Sequence, residues 1–218
     1  MEIKYIAHSS FIIKTKNATV VTDPYAPSIG VKFPRTEADI VTISHDHSDH
    51  NNLKALDGSP TVFDWPGEYE VKNVAVIGIQ TFHDDEKGAK RGVNVMYKFT
   101  TEGLNILHCG DLGHTLDDKT IEAIGPVDIL MIPVGGVYTI DAEKAVAVAR
   151  RVDPYIIIPM HFASPKLDQK TFGELDPVEA FVQAFGGNAP EKMPKLNVKR
   201  EDVITETATK IVLLEPTA

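Results

Sequence analysis

Cysteine is nearly absent from this sequence: Cys109 is the one thiol in 218 residues. A single thiol excludes an internal disulfide and any thiolate-built zinc site. Long apolar runs are missing as well, and no stretch approaches the roughly 20 residues that a membrane span needs. The opening Met1-Glu2-Ile3-Lys4-Tyr5-Ile6 has no basic leader before a long apolar core, so a soluble cytoplasmic protein with no membrane partner is expected. Positive charge is short too. The chain carries 22 Lys and Arg against 31 Asp and Glu, a formal net charge of −9, whereas a nucleic-acid partner needs a basic face to displace counterions. No nucleic acid is expected. Solenoid repeats, low-complexity tracts and linkers are also missing. The 43% hydrophobic content suffices for one well-buried core, so residues 1–218 are expected to form one domain.

What is present is a strand-rich first half. Residues 2–7, 10–15 and 18–22 alternate and are β-branched, which predicts a meander with turns at His8-Ser9 and Lys16-Asn17. Asp23-Pro24 stops the third strand, because the residue before proline avoids the helical region. A Pro- and Gly-containing loop over 25–35 leads to a strand at 39–43, and 51–56 predicts a short helix capped by Asp49 or Asn51. Strands at 61–63 and 68–71 flank the turn Trp65-Pro66-Gly67. A longer strand at 74–82 ends at His83, and the charged turn 84–91 separates it from 93–100, suggesting a hairpin with a mobile tip. The run 104–109 ends in Gly110-Asp111.

The second half alternates strand and helix. Helix 117–124 stops at Gly125-Pro126 and is followed by a strand at 128–134. In helix 141–152, Ala142, Ala145, Val146, Ala149 and Val152 form an apolar stripe opposite Glu143, Lys144, Arg150 and Arg151. A strand at 156–158 runs into Pro159-Met160-His161, helix 177–185 precedes a surface loop at 187–194, and 211–214 closes the chain. Such an order predicts face-to-face sheets with helices outside, in one α/β domain.

One stretch carries the chemistry. Ser44-His45-Asp46-His47-Ser48-Asp49-His50 closes the apolar run Ala38-Asp39-Ile40-Val41-Thr42-Ile43 and sets three imidazoles and two carboxylates within residues 45–50. Neutral imidazole nitrogen and carboxylate oxygen are the ligands that Zn²⁺ and similar cations accept. His83, Asp111 and His161 each follow an apolar strand, as His45 does. Ligands at the carboxyl ends of several strands converge on one rim of a sheet, where open α/β sheets place their sites. Bound divalent cations would offset the local negative charge, so an anionic small molecule stays compatible with an acidic chain.

The pattern His45-x-His47-x-Asp49-His50, with His83, Gly110-Asp111 and His161 in this order, resembles the metallo-β-lactamase superfamily over almost the whole chain. Within it, Ala7-His8-Ser9-Ser10-Phe11, Thr22-Asp23-Pro24 and Ile158-Pro159-Met160-His161 are similar to the branch of zinc-dependent hydrolases that includes L-ascorbate-6-phosphate lactonase. The resemblance implies an α/β fold, a metallo-β-lactamase-like αββα sandwich in a single domain. It also implies two divalent metal ions, zinc first, with manganese, nickel or iron as alternatives. His45, His47 and His83 would hold one metal; Asp49, His50 and His161 the other; Asp111 would bridge them. A metal pair of this kind lowers the pKa of a shared water and polarises the substrate oxygen, so the implied activity is hydrolysis of a small ester, lactone or phosphoester by a metal-bound hydroxide. The residues tied to catalysis are then Asp49, Asp111 and His8.

Departures from the pattern narrow the expectation. Position 47 is His where oxygen-reducing diiron relatives carry Glu, which favours hydrolysis. The segment Thr81-Phe82-His83-Asp84-Asp85 lacks the His-Thr-Pro-Gly setting of glyoxalase-II-like members, and the chain lacks the leader and metal-binding cysteine of secreted β-lactamases, so antibiotic hydrolysis is not expected. His8 has two readings, a site role or a structural hydrogen bond. Asp23 reads as the partner that fixes a ligand histidine's tautomer, or as a plain turn residue. His108 and Cys109 read as packing residues, His114 as a solvated loop residue, and Glu68, Tyr69, Arg91 and Tyr138 as surface or satisfied polar groups that are also candidates for the pocket wall. The rival functions are an RNA- or DNA-processing metallonuclease, which the charge disfavours, and a non-catalytic metal-binding or sensing protein, which would lack an open coordination position. A small-molecule substrate is expected, and a homo-oligomer is compatible with the composition.

Overall fold

The computed structural model describes residues 1–186, 190–204 and 208–218. Its first half runs β1 (Glu2–Ala7), β2 (Ser10–Lys14), β3 (Thr19–Thr22), β4 (Thr36–Glu37), β5 (Ile40–Thr42), β6 (Leu56–Asp57), β7 (Thr61–Phe63), β8 (Gly67–Val71), β9 (Val74–Phe82), β10 (Val93–Thr101) and β11 (Leu104–His108). The second half continues as α1 (Asp118–Ile124), β12 (Ile129–Pro133), α2 (Ala142–Val152), β13 (Ile156–Met160), α3 (Gln169–Phe172), α4 (Val178–Phe185), β14 (Glu191–Met193), β15 (Leu196–Asn197), α5 (Arg200–Ile204) and β16 (Lys210–Leu214). Among the described residues no helix is long and apolar enough to cross a membrane.

The strands form a six-stranded sheet in the order β15-β1-β2-β3-β5-β7 and an eight-stranded sheet in the order β14-β16-β13-β12-β11-β10-β9-β8, with β4 and β6 paired apart. One core lies between the two sheets, where Ile3, Tyr5, Phe11 and Ile40 of the first meet Val76, Tyr97, Phe99 and Ile106 of the second. On the outer face of the larger sheet sit α1, α2 and α4, whose Ile124, Ala145, Ala149 and Phe181 are buried. β12 and β13 are thus covered on both sides, which is why they read as continuous apolar runs rather than alternations. The smaller sheet is covered by less regular chain. Tyr25, Ile29 and Phe33 of one loop, with Leu167, Phe172 and Leu175 around α3, close over Ile6, Val21 and Val41.

Strand direction settles where the ends lie. β1 and β2, then β2 and β3, pair antiparallel while β3 and β5 pair parallel, so β1, β3 and β5 point the same way. In the other sheet β9, β10 and β11 alternate and β11, β12 and β13 run parallel, so β9, β11 and β13 share a direction. The carboxyl ends of β1, β3 and β5 therefore share one edge of their sheet, and those of β9, β11 and β13 share one edge of the other.

Local chemistry explains most boundaries. The Asp117 and Asp141 side chains accept from the backbone N–H of Thr120 and Lys144, opening α1 and α2 as N-caps. Three expectations are corrected. The helix expected over 51–56 is a single 3₁₀ turn at Leu53–Ala55 followed by β6; neither expected cap is free, since the Asn51 amide bonds Asp46 and Asp49 turns toward His8 and His50. The surface loop expected over 187–194 contains β14 at Glu191–Met193, paired with β16, while 187–189 lie outside the described residues. The hairpin turn 84–91 is not a loose tip. The buried Asp84 carboxylate accepts from the backbone N–H of Glu86, Gly88, Lys90 and Arg91 at 2.7–2.9 Å, and these four bonds hold its pKa down at about 2 against the opposing effect of burial.

Leu130 sits in the middle of β12 with no exposed surface. Leu130→Ala leaves a cavity between sheet and helices and is expected to lower stability by about 2–5 kcal/mol, read from the urea unfolding midpoint; a loss within experimental error contradicts the two-sided burial of this strand.

Candidate metal centre

Six of the strand ends deliver a titratable side chain. His8, Asp23 and His45 follow β1, β3 and β5, and His83, Asp111 and His161 follow β9, β11 and β13. His47, Asp49 and His50 come from the loop after β5. Three of the turns pass through left-handed backbone, with φ of 58° at His8, 42° at Asp23 and 53° at His161; non-glycine residues adopt this at a cost, and such strain gathers at functional sites. Two glycines stand where a side chain would displace a site residue. A Cβ on Gly135 would lie 2.1 Å from the His161 carbonyl oxygen, and one on Gly113 would lie 2.3 Å from the His83 carbonyl carbon.

Asp111 is the centre. Its Oδ2 lies 3.3 Å from Nε2 of His50, His83 and His161 and 3.9 Å from Nε2 of His45. Burial opposes its charge, but His161 and His50 outweigh that and hold its pKa well below the usual carboxylate range. Burial also works against a charge on His50, yet Asp111, Asp23 and Asp49 together raise its pKa well above the ordinary value. His45 goes the other way: burial and the neighbouring His50 push its pKa well down, favouring the neutral ring that binds metal.

The second nitrogens fix the rings. Asp23 accepts from Ser44 N at 2.8 Å, from Ser44 Oγ at 2.6 Å and from His50 Nδ1 at 2.9 Å. Since the Ser44 hydroxyl has one proton and gives it to Asp23, its 2.9 Å contact with His45 Nδ1 requires that nitrogen to donate. Both rings then present Nε2 to the cluster, and neither Nε2 has a hydrogen-bond partner in the protein. Buried polar atoms are seldom left so. His83 and His161 likewise leave Nδ1 unpartnered.

Three groupings bring ligand atoms within 4.8 Å of one another: His45, His47 and His83; His45, His50 and Asp111; and His8, His50 and His161. The donor set therefore fits bound metal. Asp49 stands beside the last grouping, its Oδ2 3.1 Å from His8 Nε2 and 3.5 Å from His50 Nε2. Burial raises and the His50 and His8 hydrogen bonds lower its pKa, which ends well below normal. His8 is fully enclosed and packs on His161 at 4.2 Å; burial, then His161, lower its pKa to about 4. The cluster opens into a cleft of about 390 Å³ whose walls include Arg91, Tyr138 and Phe172.

Other residues take structural places. His108 donates through Nε2 to the Ser9 carbonyl at 2.7 Å, and Cys109 is buried in the core. His114 accepts from the Phe82 N–H and contacts the Thr115 carbonyl, outside the cleft. Tyr69 stacks on Phe63, away from the cleft wall, which Glu68 also does not line. Two supports escaped the sequence reading. Ser44 is one; the other is Asn94, whose Oδ1 accepts from the Asp111 N–H at 2.9 Å while its amide donates to Thr81 and the Cys109 carbonyl. The available signal was a lone polar residue inside the apolar strand Val93-Asn94-Val95.

Residues 2–161 match the family model described as beta-lactamase superfamily domain, and the chain belongs to that superfamily with the metallo-β-lactamase fold. A Thermotoga maritima crystal structure, described as a Zn-dependent hydrolase of the metallo-β-lactamase superfamily, is similar at 33% identity and a TM-score of 0.82, covering 99% of both chains. UPF0173 metal-dependent hydrolases are similar as well: one from Staphylothermus marinus at 28% identity over 98% of this chain and 96% of its own, and one from Nanoarchaeum equitans at 29% over 74% and 84%.

Asp23→Asn keeps the shape of the support but removes the charge that holds His50 Nδ1–H. Metal affinity is expected to fall about 10–100-fold, measured by competition with a chromophoric chelator; equal affinity in both proteins contradicts the orienting role.

Proposed function

We propose that residues 1–218 form one metal-dependent hydrolase domain acting on a small ester, lactone or phosphoester in the cytoplasm. The observation that carries this reading is the buried Asp111 Oδ2 among four imidazole Nε2 atoms at 3.3–3.9 Å, opening directly on a cleft. His45, His47 and His83 would hold one divalent ion, and Asp49, His50 and His161 the other, with Asp111 shared between them. Zinc suits this nitrogen-rich set first; manganese, nickel and iron are the alternatives. Two such ions, when bound, supply a water of lowered pKa and neutralise charge developing on the substrate oxygen.

The chain's own groups do the rest. Asp23 and Ser44 keep the Nε2 lone pairs of His50 and His45 aimed inward. Asp49 and His8 share one contact at 3.1 Å, so the buried His8 is placed to hold Asp49 in position at the cleft wall. Phe172 packs edge-on against His8 and excludes water from that flank. Similarity to UPF0173 hydrolases and to the Thermotoga maritima protein supports the metal-dependent hydrolase class. The Ala7-His8-Ser9-Ser10-Phe11 and Ile158-Pro159-Met160-His161 segments support kinship with the ascorbate-6-phosphate lactonase branch. An open cleft beside the ligands favours catalysis over metal storage.

Two experiments test the reading. Dialysis against a chelator is expected to abolish hydrolysis across a panel of lactones, aryl esters and phosphodiesters, and added zinc or manganese to restore it; full turnover by the metal-free protein overturns the proposal. Asp111→Asn is expected to lower kcat/KM at least about a hundredfold, more than loss of a supporting residue does, and unchanged kinetics rule out a shared ligand.

A further inference from the structure

Arg91 is the one Lys or Arg among the described residues of the cleft wall, and the reaction above gives it no task. Three other arginines are neutralised: Arg35, Arg151 and Arg200 pair with Asp57, Asp118 and Asp128. Arg91 has no carboxylate partner among the described residues. Its guanidinium carbon lies over the Tyr138 ring at 5.1 Å, and stacking of this kind leaves the in-plane N–H donors free for a ligand.

Both ends of this side chain are anchored. The Arg91 backbone N–H donates to Asp84 at 2.7 Å as part of the four-bond clasp, and Tyr138 is itself fixed by its hydroxyl bond to the Thr171 carbonyl at 2.7 Å. A cation held in advance loses little freedom on binding. Beside it the cleft is lined by Ser28 and Ser48, both exposed, whose hydroxyls make no protein hydrogen bond among the described residues. Arg91 and His47 also share the wall of an adjoining hollow of about 300 Å³, so Arg91 borders the His45–His47 side of the cluster as well as the cleft.

We propose that Arg91 selects the substrate by charge, binding an oxyanion (carboxylate or phosphate) on the molecule whose scissile bond meets the Asp111 cluster. The substrate class is therefore an anionic ester, lactone or phosphoester of small size. This deepens the hydrolase reading and rests on it for the words "scissile bond"; the recognition of an oxyanion by Arg91 stands on the cleft alone.

The test has a kinetic and a binding arm, both on metal-loaded protein. In the first, mono-4-nitrophenyl succinate is compared with the neutral, similarly sized 4-nitrophenyl butyrate. The preference for the anionic ester, as a ratio of kcat/KM values, is expected to fall about tenfold or more in Arg91→Met and to be largely kept in Arg91→Lys. An unaltered ratio in Arg91→Met overturns the proposal, because a residue that only walls the cleft would affect both esters alike. In the second arm, equilibrium dialysis follows inorganic phosphate and succinate, with circular dichroism confirming that each variant is folded. The anion that loses about tenfold in affinity on Arg91→Met identifies the preferred group, and equal binding of both anions by wild type and variant overturns the proposal. If wild-type protein hydrolyses no member of the ester panel, the hydrolase reading fails while the dialysis arm still decides for or against Arg91.

Discussion

A carboxylate taken out of water is costly unless other charges and dipoles replace the solvent, and Asp111 is such a group at 2% exposure. Everything around it can be understood as the replacement. Four imidazoles converge on one oxygen, the backbone N–H of Asp111 is fixed by Asn94, and Ser9 approaches the other oxygen. The converse holds for the rings. His50 keeps a raised pKa only because three carboxylates face it. Remove the carboxylate and the imidazoles are buried without compensation; remove the imidazoles and the carboxylate is.

Such a cluster needs the two sheets to keep a fixed offset, since each contributes half of it. The rim is stitched accordingly. His161 N donates to the His8 carbonyl at 2.8 Å, His108 Nε2 to the Ser9 carbonyl, and Val95 N to the Ser44 carbonyl at 2.8 Å. Each bond joins a strand end of the larger sheet to one of the smaller. His108 is therefore a tie between layers rather than a ligand. It is suited to that task because burial keeps its ring neutral, so that Nδ1 accepts from Gly110 while Nε2 donates.

The convergence of these side chains was legible because its signal is local: histidines recurring within a few residues, or directly after an apolar strand, betray a rim. The starts of α1 and α2 were legible for the same reason, since Asp117 and Asp141 each bond three residues ahead in sequence. What could not be read depends on distance in space. Asn94 meets Asp111 across seventeen residues of sequence and Ser44 meets Asp23 across twenty-one, and nothing in either residue type distinguishes these partners beforehand. The helix misread at 51–56 follows from the same limit. Its candidate caps carry the right side chains, but Asp49 is drawn toward His8 and Asn51 toward Asp46. β14 and β15 are short and polar, and exist only because an already formed sheet offers them an edge.

The clasp of Asp84 separates architecture from identity in the turn it closes. Four amide protons are satisfied by one carboxylate, while Asp85, Glu86, Lys87, Ala89 and Lys90 point to solvent. Those positions are free to drift without loosening the hairpin that brings His83 to the rim. Sequence change in a lineage can therefore accumulate along this turn while the position of His83 stays constant, the turn behaving as an interchangeable cassette on a fixed clip.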